Sequence, residues 1–186
     1  MQPEQLQQIM GYYSEDAKNH LDLIQQHLRN LERITEDPER VSDLLGIVRC
    51  GIVGGANLLP ISRLHISSIH QTGFCLVDCF KVFQQEGAVK VDQKLQDLLM
   101  QVLDALKALI EPLRQSSGLT DEQIEQVVSE VELVKKALME HLNELVQRSR
   151  CAHSLEIAIA SELDDDPSSL EELESIIDEL SVDSSV

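Results

Sequence analysis

Apolar residues recur every three or four positions along most of this chain, which is the spacing of one face of an α-helix. The clearest stripe lies within residues 4–34 and consists of Leu6, Ile9, Met10, Tyr13, Ala17, Leu21, Ile24, Leu28 and Leu31. Gly11 predicts a break in this stripe. Ser14 is followed by two acidic residues, and this pattern suits the start of a new helix after the break. Acidic side chains in a first turn interact favourably with the helix dipole.

Three more helices are predicted before residue 116. Asp37 and Pro38 predict the N-cap and the first turn of the second helix, Pro60 ends or bends it, and Gly87 closes the third. The apolar pattern places these helices at about 38–59, 62–85 and 91–114. Aromatic residues make up 3 % of the chain and Trp is absent, so Leu, Ile and Val must form the core, which favours an all-α fold.

A fifth helix is predicted after a break at residues 116–118. Thr120 and Gln123 form a capping-box pattern, in which each side chain satisfies a free backbone N–H of the other residue. Apolar residues seven apart follow at Ile124, Val131, Leu138 and Leu145. This heptad favours packing on another helix, either in the same chain or in a homodimer through residues 120–146. The heptad is explained equally well if this helix only covers the apolar surface of the other helices.

Negative charge is concentrated at the C-terminus. The formal net charge is −18, and residues 161–186 hold ten of the 33 acidic residues and no lysine or arginine. We predict an acidic linker there, followed by a short amphipathic segment at 170–180. That segment either stays disordered or docks in a groove of a partner.

Composition and motifs exclude several classes of function. The negative charge repels phosphate backbones and anionic lipids, so we expect neither nucleic acid nor a membrane as a partner. No apolar run is long enough to span a bilayer, and a cytoplasmic protein is expected. Four cysteines without a CxxC pair predict reduced thiols and no metal site. Ordinary enzyme and cofactor motifs are absent, so we expect neither catalysis nor a cofactor.

Three glycines interrupt the second predicted helix, at Gly51, Gly54 and Gly55. Each costs a helix roughly 1 kcal/mol relative to alanine, so another interaction must favour them. Glycine allows a second backbone or a bulky group to approach closely. The segment from Cys50 to Ala56 is therefore predicted to be a docking surface; the alternative is a kink or a tight helix crossing.

Five sequence motifs, taken in order, are similar to those of one known family. They are Glu15-Asp16-Ala17-x-x-His20-Leu21, Asp37-Pro38-Glu39, Gly54-Gly55-Ala56, Leu76-x-Asp78-Cys79-Phe80-Lys81-Val82 and Val91-Asp92-Gln93-Lys94-Leu95. Their order and spacing over about residues 1–115 resemble the histidine-phosphotransfer (HPt) domain of chemotaxis-type histidine kinases, especially cyanobacterial ones. The resemblance implies an antiparallel four-helix bundle over residues 1–116. The additional long helix over 119–160 and the acidic tail over 161–186 are predicted from the residue pattern.

The phosphate-accepting motif of that family is degenerate here. It reads His-x-x-Lys-Gly-(Gly/Ser)-Ala, in which an exposed imidazole takes the phosphoryl group and the lysine one turn later neutralises it. Alignment on Gly54-Gly55-Ala56 places Cys50 at the histidine and Val53 at the lysine. The resemblance therefore implies a pseudo-phosphotransfer module that binds a response-regulator receiver domain or a histidine kinase without carrying phosphate. Its expected binding residues are Cys50, Gly51, Val53, Gly54, Gly55 and Asn57.

Further departures from the family lie beside this motif. The segment Pro60–Ile66 is several residues longer than the family's connection, and Phe74 and Val77 stand where a histidine and a glutamate are usual. We expect the local geometry to differ there from that of the family.

Two other functions stay open. An active phosphotransfer protein would need a histidine outside the motif, and His153 and His70 are the candidates. A thiol sensor would respond to oxidation of Cys50 through a change in helix packing. The remaining histidines are expected at the surface or between helices: His20, His27, His65 and His141.

Overall fold

Nearly every residue that this computed structural model describes, in the ranges 3–87, 89–114 and 119–163, is helical. Six α-helices follow one another, and these ranges contain no strand. The helices are α1 (Pro3–Leu28), α2 (Leu31–Thr35), α3 (Pro38–Gly46), α4 (Arg63–Glu86), α5 (Gln93–Ile110) and α6 (Asp121–Leu163). A π-helix (Ile47–Gly54) continues α3, and a 3-10 turn (Glu111–Arg114) follows α5. The all-α prediction is confirmed.

The first helix differs from its prediction. It runs through Gly11 without interruption, so the predicted break is wrong. Ser14 and Ala17, on the turns that follow, are buried, and their packing outweighs the roughly 1 kcal/mol that a glycine costs a helix. At its other end α1 stops at Leu28, and Leu31 begins the short α2.

Helix ends follow their local sequence signals. Asp37 Oδ1 accepts the N–H of Arg40 at 3.2 Å. Thr120 Oγ1 accepts the N–H of Gln123 at 3.3 Å, and the Gln123 side chain accepts the N–H of Thr120 at 3.0 Å. Gly87 has a φ of 67°, a positive value that glycine adopts at no steric cost, and it ends α4. The two predicted helix starts and the glycine stop are confirmed.

An aliphatic core lies inside a closed ring of helices. α1 contacts α5 and the π-helix, and α4 contacts α3, the π-helix and α5. The inward side chains of all these elements are buried together, with Phe80 and Phe83 of α4 among the largest. The ring thus fixes the π-helix between α1 and α4.

The apolar stripe of α6 packs on this ring within the same chain. Its buried residues are Ile124, Val131, Leu138, Leu142, Leu145 and Val146. His141 is buried as well, and its Nε2 donates to both carboxylate oxygens of Asp92, at 2.8 and 2.9 Å. Because Asp92 is the N-cap of α5, this hydrogen bond ties α6 to the start of α5.

The chain divides into two compact units, Met1–Val146 and Gln147–Val186. The described part of the second unit is helical up to Leu163. The predicted acidic tail lies outside the described residues from position 164 onward, and the boundaries predicted at 116 and 160 stay predictions. Within the described ranges, no helix combines the length and the apolar character that a bilayer crossing requires.

Asp92 stabilises two helices at once. Its side chain accepts the N–H of Leu95 at 2.9 Å in addition to the hydrogen bond from His141. Burial alone raises the pKa of the Asp92 carboxyl. The hydrogen bonds from His141 and Leu95, together with the charge interactions with His141 and Lys94, outweigh burial and hold this pKa below its ordinary value.

We expect Asp92→Ala to lower the free energy of unfolding by about 1–3 kcal/mol, because it removes a helix cap and leaves buried His141 without its acceptor. The ionised carboxylate makes these bonds. Its contribution to the free energy of unfolding is therefore complete above the ordinary carboxyl pKa, and it is lost as the pH falls through the lower pKa that Asp92 has in the folded protein. Urea denaturation at neutral pH and at about pH 3 measures the difference between variant and parent. Asp43→Ala, at an exposed position of α3, is the control. An equal effect of Asp92→Ala at both pH values would contradict this account.

Candidate functional site

The candidate site lies on the π-helix, an element that sequence reasoning did not predict. The predicted second helix begins as α3 and changes at Ile47 to the wider i→i+5 hydrogen bonding of a π-helix. Such turns are rare in proteins as a whole, but those that occur often lie at functional sites. Gly51 and Gly54 lie in this segment, and their low helix propensity makes an ordinary α-helical turn less favourable.

Five residues on and just after the π-helix form what we term the outer face. Arg49, Cys50, Asn57 and Leu58 are exposed, and Gly54 is half-buried. Leu58 has 81 % of its surface exposed, although it is a large apolar residue.

Val53 points into the core, away from the outer face. It is 5 % exposed, and a Cβ built on Gly73 of α4 would lie 2.5 Å from its Cγ2. In an α-helix, residues three apart share one side. In the wider π-helix they are further separated around the axis, and here Cys50 is exposed while Val53 is buried. The two positions that align with the HPt histidine and lysine therefore do not face the same way.

Gly51 and Gly55 face α1. A Cβ on Gly51 would lie 2.6 Å from the imidazole of His20, and one on Gly55 would lie 2.9 Å from the ring of Tyr13. The Tyr13 hydroxyl donates to the carbonyl of Ile52 at 2.9 Å, and burial raises the pKa of this hydroxyl above its ordinary value. These close contacts agree with the alternative explanation of the glycines, in which they permit a tight crossing of two helices.

The structure separates the six predicted binding residues into two groups. Those on the outer face are Cys50, Gly54 and Asn57. Those that face α1 or α4 are Gly51, Val53 and Gly55. Sequence reasoning missed Leu58, because the apolar pattern alone could not decide which of the adjacent residues Leu58 and Leu59 is exposed.

Two histidines, His65 and His70, lie in the first half of α4. The His70 ring meets Phe74 edge to face, and its Nε2 is buried without a hydrogen-bond partner. His65 is buried, and its Nε2 donates to the carbonyl of Leu109 at 2.7 Å, which joins the start of α4 to the end of α5. The side chain of His153, the other histidine considered from the sequence, lies outside the described residues.

The four cysteines differ in solvent exposure. Cys75 and Cys79 are buried in α4, and burial raises their pKa to about 11 and about 12, so both thiols are protonated and unreactive near neutral pH. Cys50 and Cys151 are exposed. In the described part of the chain, no group of three or more metal-ligating side chains lies close enough to hold an ion.

Chemically, the outer face offers a guanidinium, a thiol, an amide and an isobutyl group. It does not pair a nucleophile with a general base, the arrangement on which covalent catalysis relies. It is therefore better suited to binding than to chemistry. Comparisons of this chain with protein-family models, with curated proteins and with solved structures gave no match.

The contact between Gly73 and Val53 can be tested directly. We expect Gly73→Ala to destabilise the protein by about 1–3 kcal/mol, because the added methyl overlaps the stiff, buried valine. In a double-mutant cycle followed by urea denaturation, Val53→Ala should recover most of this loss.

The matched control is Gly46→Ala, since a Cβ on Gly46 meets nothing within 4 Å. Its backbone is helical, and we expect a gain of about 0.5–1 kcal/mol or no change. Additive effects of the Gly73 and Val53 substitutions would show that the two side chains do not share this contact.

Proposed function

We propose that this chain is a pseudo-HPt module: a cytoplasmic binding protein of a two-component phosphorelay that engages a receiver domain or a histidine kinase and carries no phosphate itself. The proposal joins two independent features. One is the order of HPt-like motifs over residues 1–115, and the other is the chemistry of the outer face.

The main support for this proposal is that Cys50 and Val53 face in different directions, one to the surface and the other into the core. Phosphotransfer through this turn would need a nucleophile and a cation that reach the same phosphoryl group. Here the exposed residue is a thiol, and the residue three positions later is an apolar side chain packed on Gly73. The surface that partners would recognise is kept while the two chemical groups are replaced.

The helix arrangement supports the HPt part of the proposal. α1, α3 with its π-helix, α4 and α5 contact one another in a ring, as the helices of a four-helix bundle do. In the proposal this ring is the HPt-like bundle of residues 1–116, and α6 is an addition that packs on it. A homodimer through residues 120–146 is not part of the proposal, because the apolar stripe of α6 is buried within one chain.

Leu58 gives the outer face an apolar anchor. A few large side chains carry most of the energy of a protein interface, and the contacts around them mainly exclude water. Gly54 and Asn57 beside it are small or polar, so a partner can approach the backbone closely. We therefore assign to Leu58 the main contact with the receiver or kinase domain.

The rival functions have weaker support. Nε2 of His70 is buried, which leaves that nitrogen inaccessible to a phosphoryl donor. A thiol sensor would have to act through helix packing, but Cys50 is exposed and not enclosed between helices. Phosphotransfer through His20 is the rival to test, since its imidazole lies against Gly51, the residue after Cys50. Its Nδ1 is buried as well, so only Nε2 of His20 could accept a phosphoryl group.

The decisive experiment mixes the full chain with a panel of receiver domains that have been phosphorylated with radiolabelled acetyl phosphate. We expect a complex with at least one receiver and no label on this chain. Acid-labile label on it would overturn the proposal, and the variants His20→Gln, His70→Gln and His153→Gln would then identify the carrier. Failure to bind any receiver or histidine-kinase domain would overturn it as well.

A receiver that binds also tests the anchor. We expect Leu58→Asp to weaken the complex at least tenfold, because it places a charge in an apolar contact. Leu133→Asp is the matched control, since Leu133 of α6 is 73 % exposed and lies outside the outer face. Isothermal titration calorimetry measures both affinities, and an equal loss in the two variants would argue against the outer face as the binding surface.

A further inference from the structure

A second surface of this molecule lies between α5 and α6, on helices that do not contribute to the outer face. A groove of about 350 Å³ opens there. α5 lines it with Asp104, Ala105 and Ala108, and α6 lines it with Val127, Glu130 and Val134. On each helix these residues are three or four apart or adjacent, so each helix presents one continuous face to the groove. We refer to it as the α5–α6 groove.

The groove exists because α5 and α6 are held together without filling the space between them. The hydrogen bond between His141 and Asp92 joins the two helices at the start of α5. Further along, Ala105 and Ala108 have side chains too short to reach across to α6. Since Asp92 meets the later part of α6 while Ala108 shares the groove with the earlier Val127, the two helices run antiparallel.

The groove has an apolar floor and acidic edges. Val127, Val134 and Ala105 are half-buried in it. Asp104 and Glu130 are exposed, and no lysine or arginine lines this groove. An amphipathic helix binds such a groove through its apolar face, and basic residues beside that face would complement the two carboxylates.

We propose that the α5–α6 groove binds a basic amphipathic helix of a partner protein, which gives the chain a binding surface beyond the proposed function of the outer face. Charge selects this occupant over the chain's own C-terminal segment. Residues 170–180 are amphipathic, but their charged residues are all acidic and have the same sign as Asp104 and Glu130. The net charge of −18 also attracts a basic partner over a longer distance.

The test uses the full chain and a fluorescent synthetic peptide of about 18 residues, designed as a helix with leucine on one face and lysine on the other. Anisotropy at physiological salt should show saturable binding. Ala108→Trp fills the groove from an exposed position of α5 and should weaken binding at least tenfold. The double variant Asp104→Asn, Glu130→Gln should weaken it several-fold.

The control must separate the groove from the general negative charge of the chain. Asp16→Asn with Asp43→Asn removes the same charge from exposed positions on α1 and α3, and should change the affinity less than twofold. An equal loss in this control, no effect of Ala108→Trp, or no binding of the peptide would each overturn the proposal. Competition by a peptide of residues 168–182 would overturn it too, since the occupant would then be the chain's own acidic segment. None of these outcomes depends on receiver binding, so the α5–α6 groove and the outer face succeed or fail separately.

Discussion

Close contact between the π-helix and the helices on either side of it is the constraint on which the rest of this structure depends. On one side Gly55 admits the ring of Tyr13 from α1, and on the other Gly73 of α4 admits Val53. Neither contact leaves room for a further carbon atom. The π-helix is therefore fixed in rotation about its own axis, and this rotation is what leaves Cys50 exposed.

In the proposed function, this constraint links the absence of phosphotransfer chemistry to the packing of the core. A lysine at position 53 would have to bring a charge into the space that Val53 fills against Gly73, where an unpaired charge is costly. The valine is part of the core, whereas Cys50 lies at the surface and is free of such packing. In the proposed function, a single substitution at Cys50 would not restore a phosphate acceptor, because the missing cation belongs to a position that packing now occupies.

Sequence reasoning was most accurate where the deciding interaction is local. The start of α3 was predicted because the cap at Asp37 involves a backbone N–H only three residues away. The break predicted at Gly11 was wrong, since burial of the turns that follow it overrides helix propensity. The π-helix could not be predicted, because it is fixed by contacts such as that between Val53 and Gly73, which are twenty positions apart. The same holds for the exposure of Leu58, so sequence reasoning located the segment of the candidate site but not its outward residues.

The two proposed surfaces differ in physical character, and the difference bears on what the molecule can do. The outer face has one charged side chain, that of Arg49, and would hold a partner mainly by apolar contact around Leu58. The α5–α6 groove combines apolar contact with carboxylates, so its affinity depends on the charge of the partner and on salt. A module without phosphate chemistry that has one binding surface can only sequester its partner. With two surfaces on separate helices it can hold two different proteins at once, and the proposed function then becomes that of an adaptor.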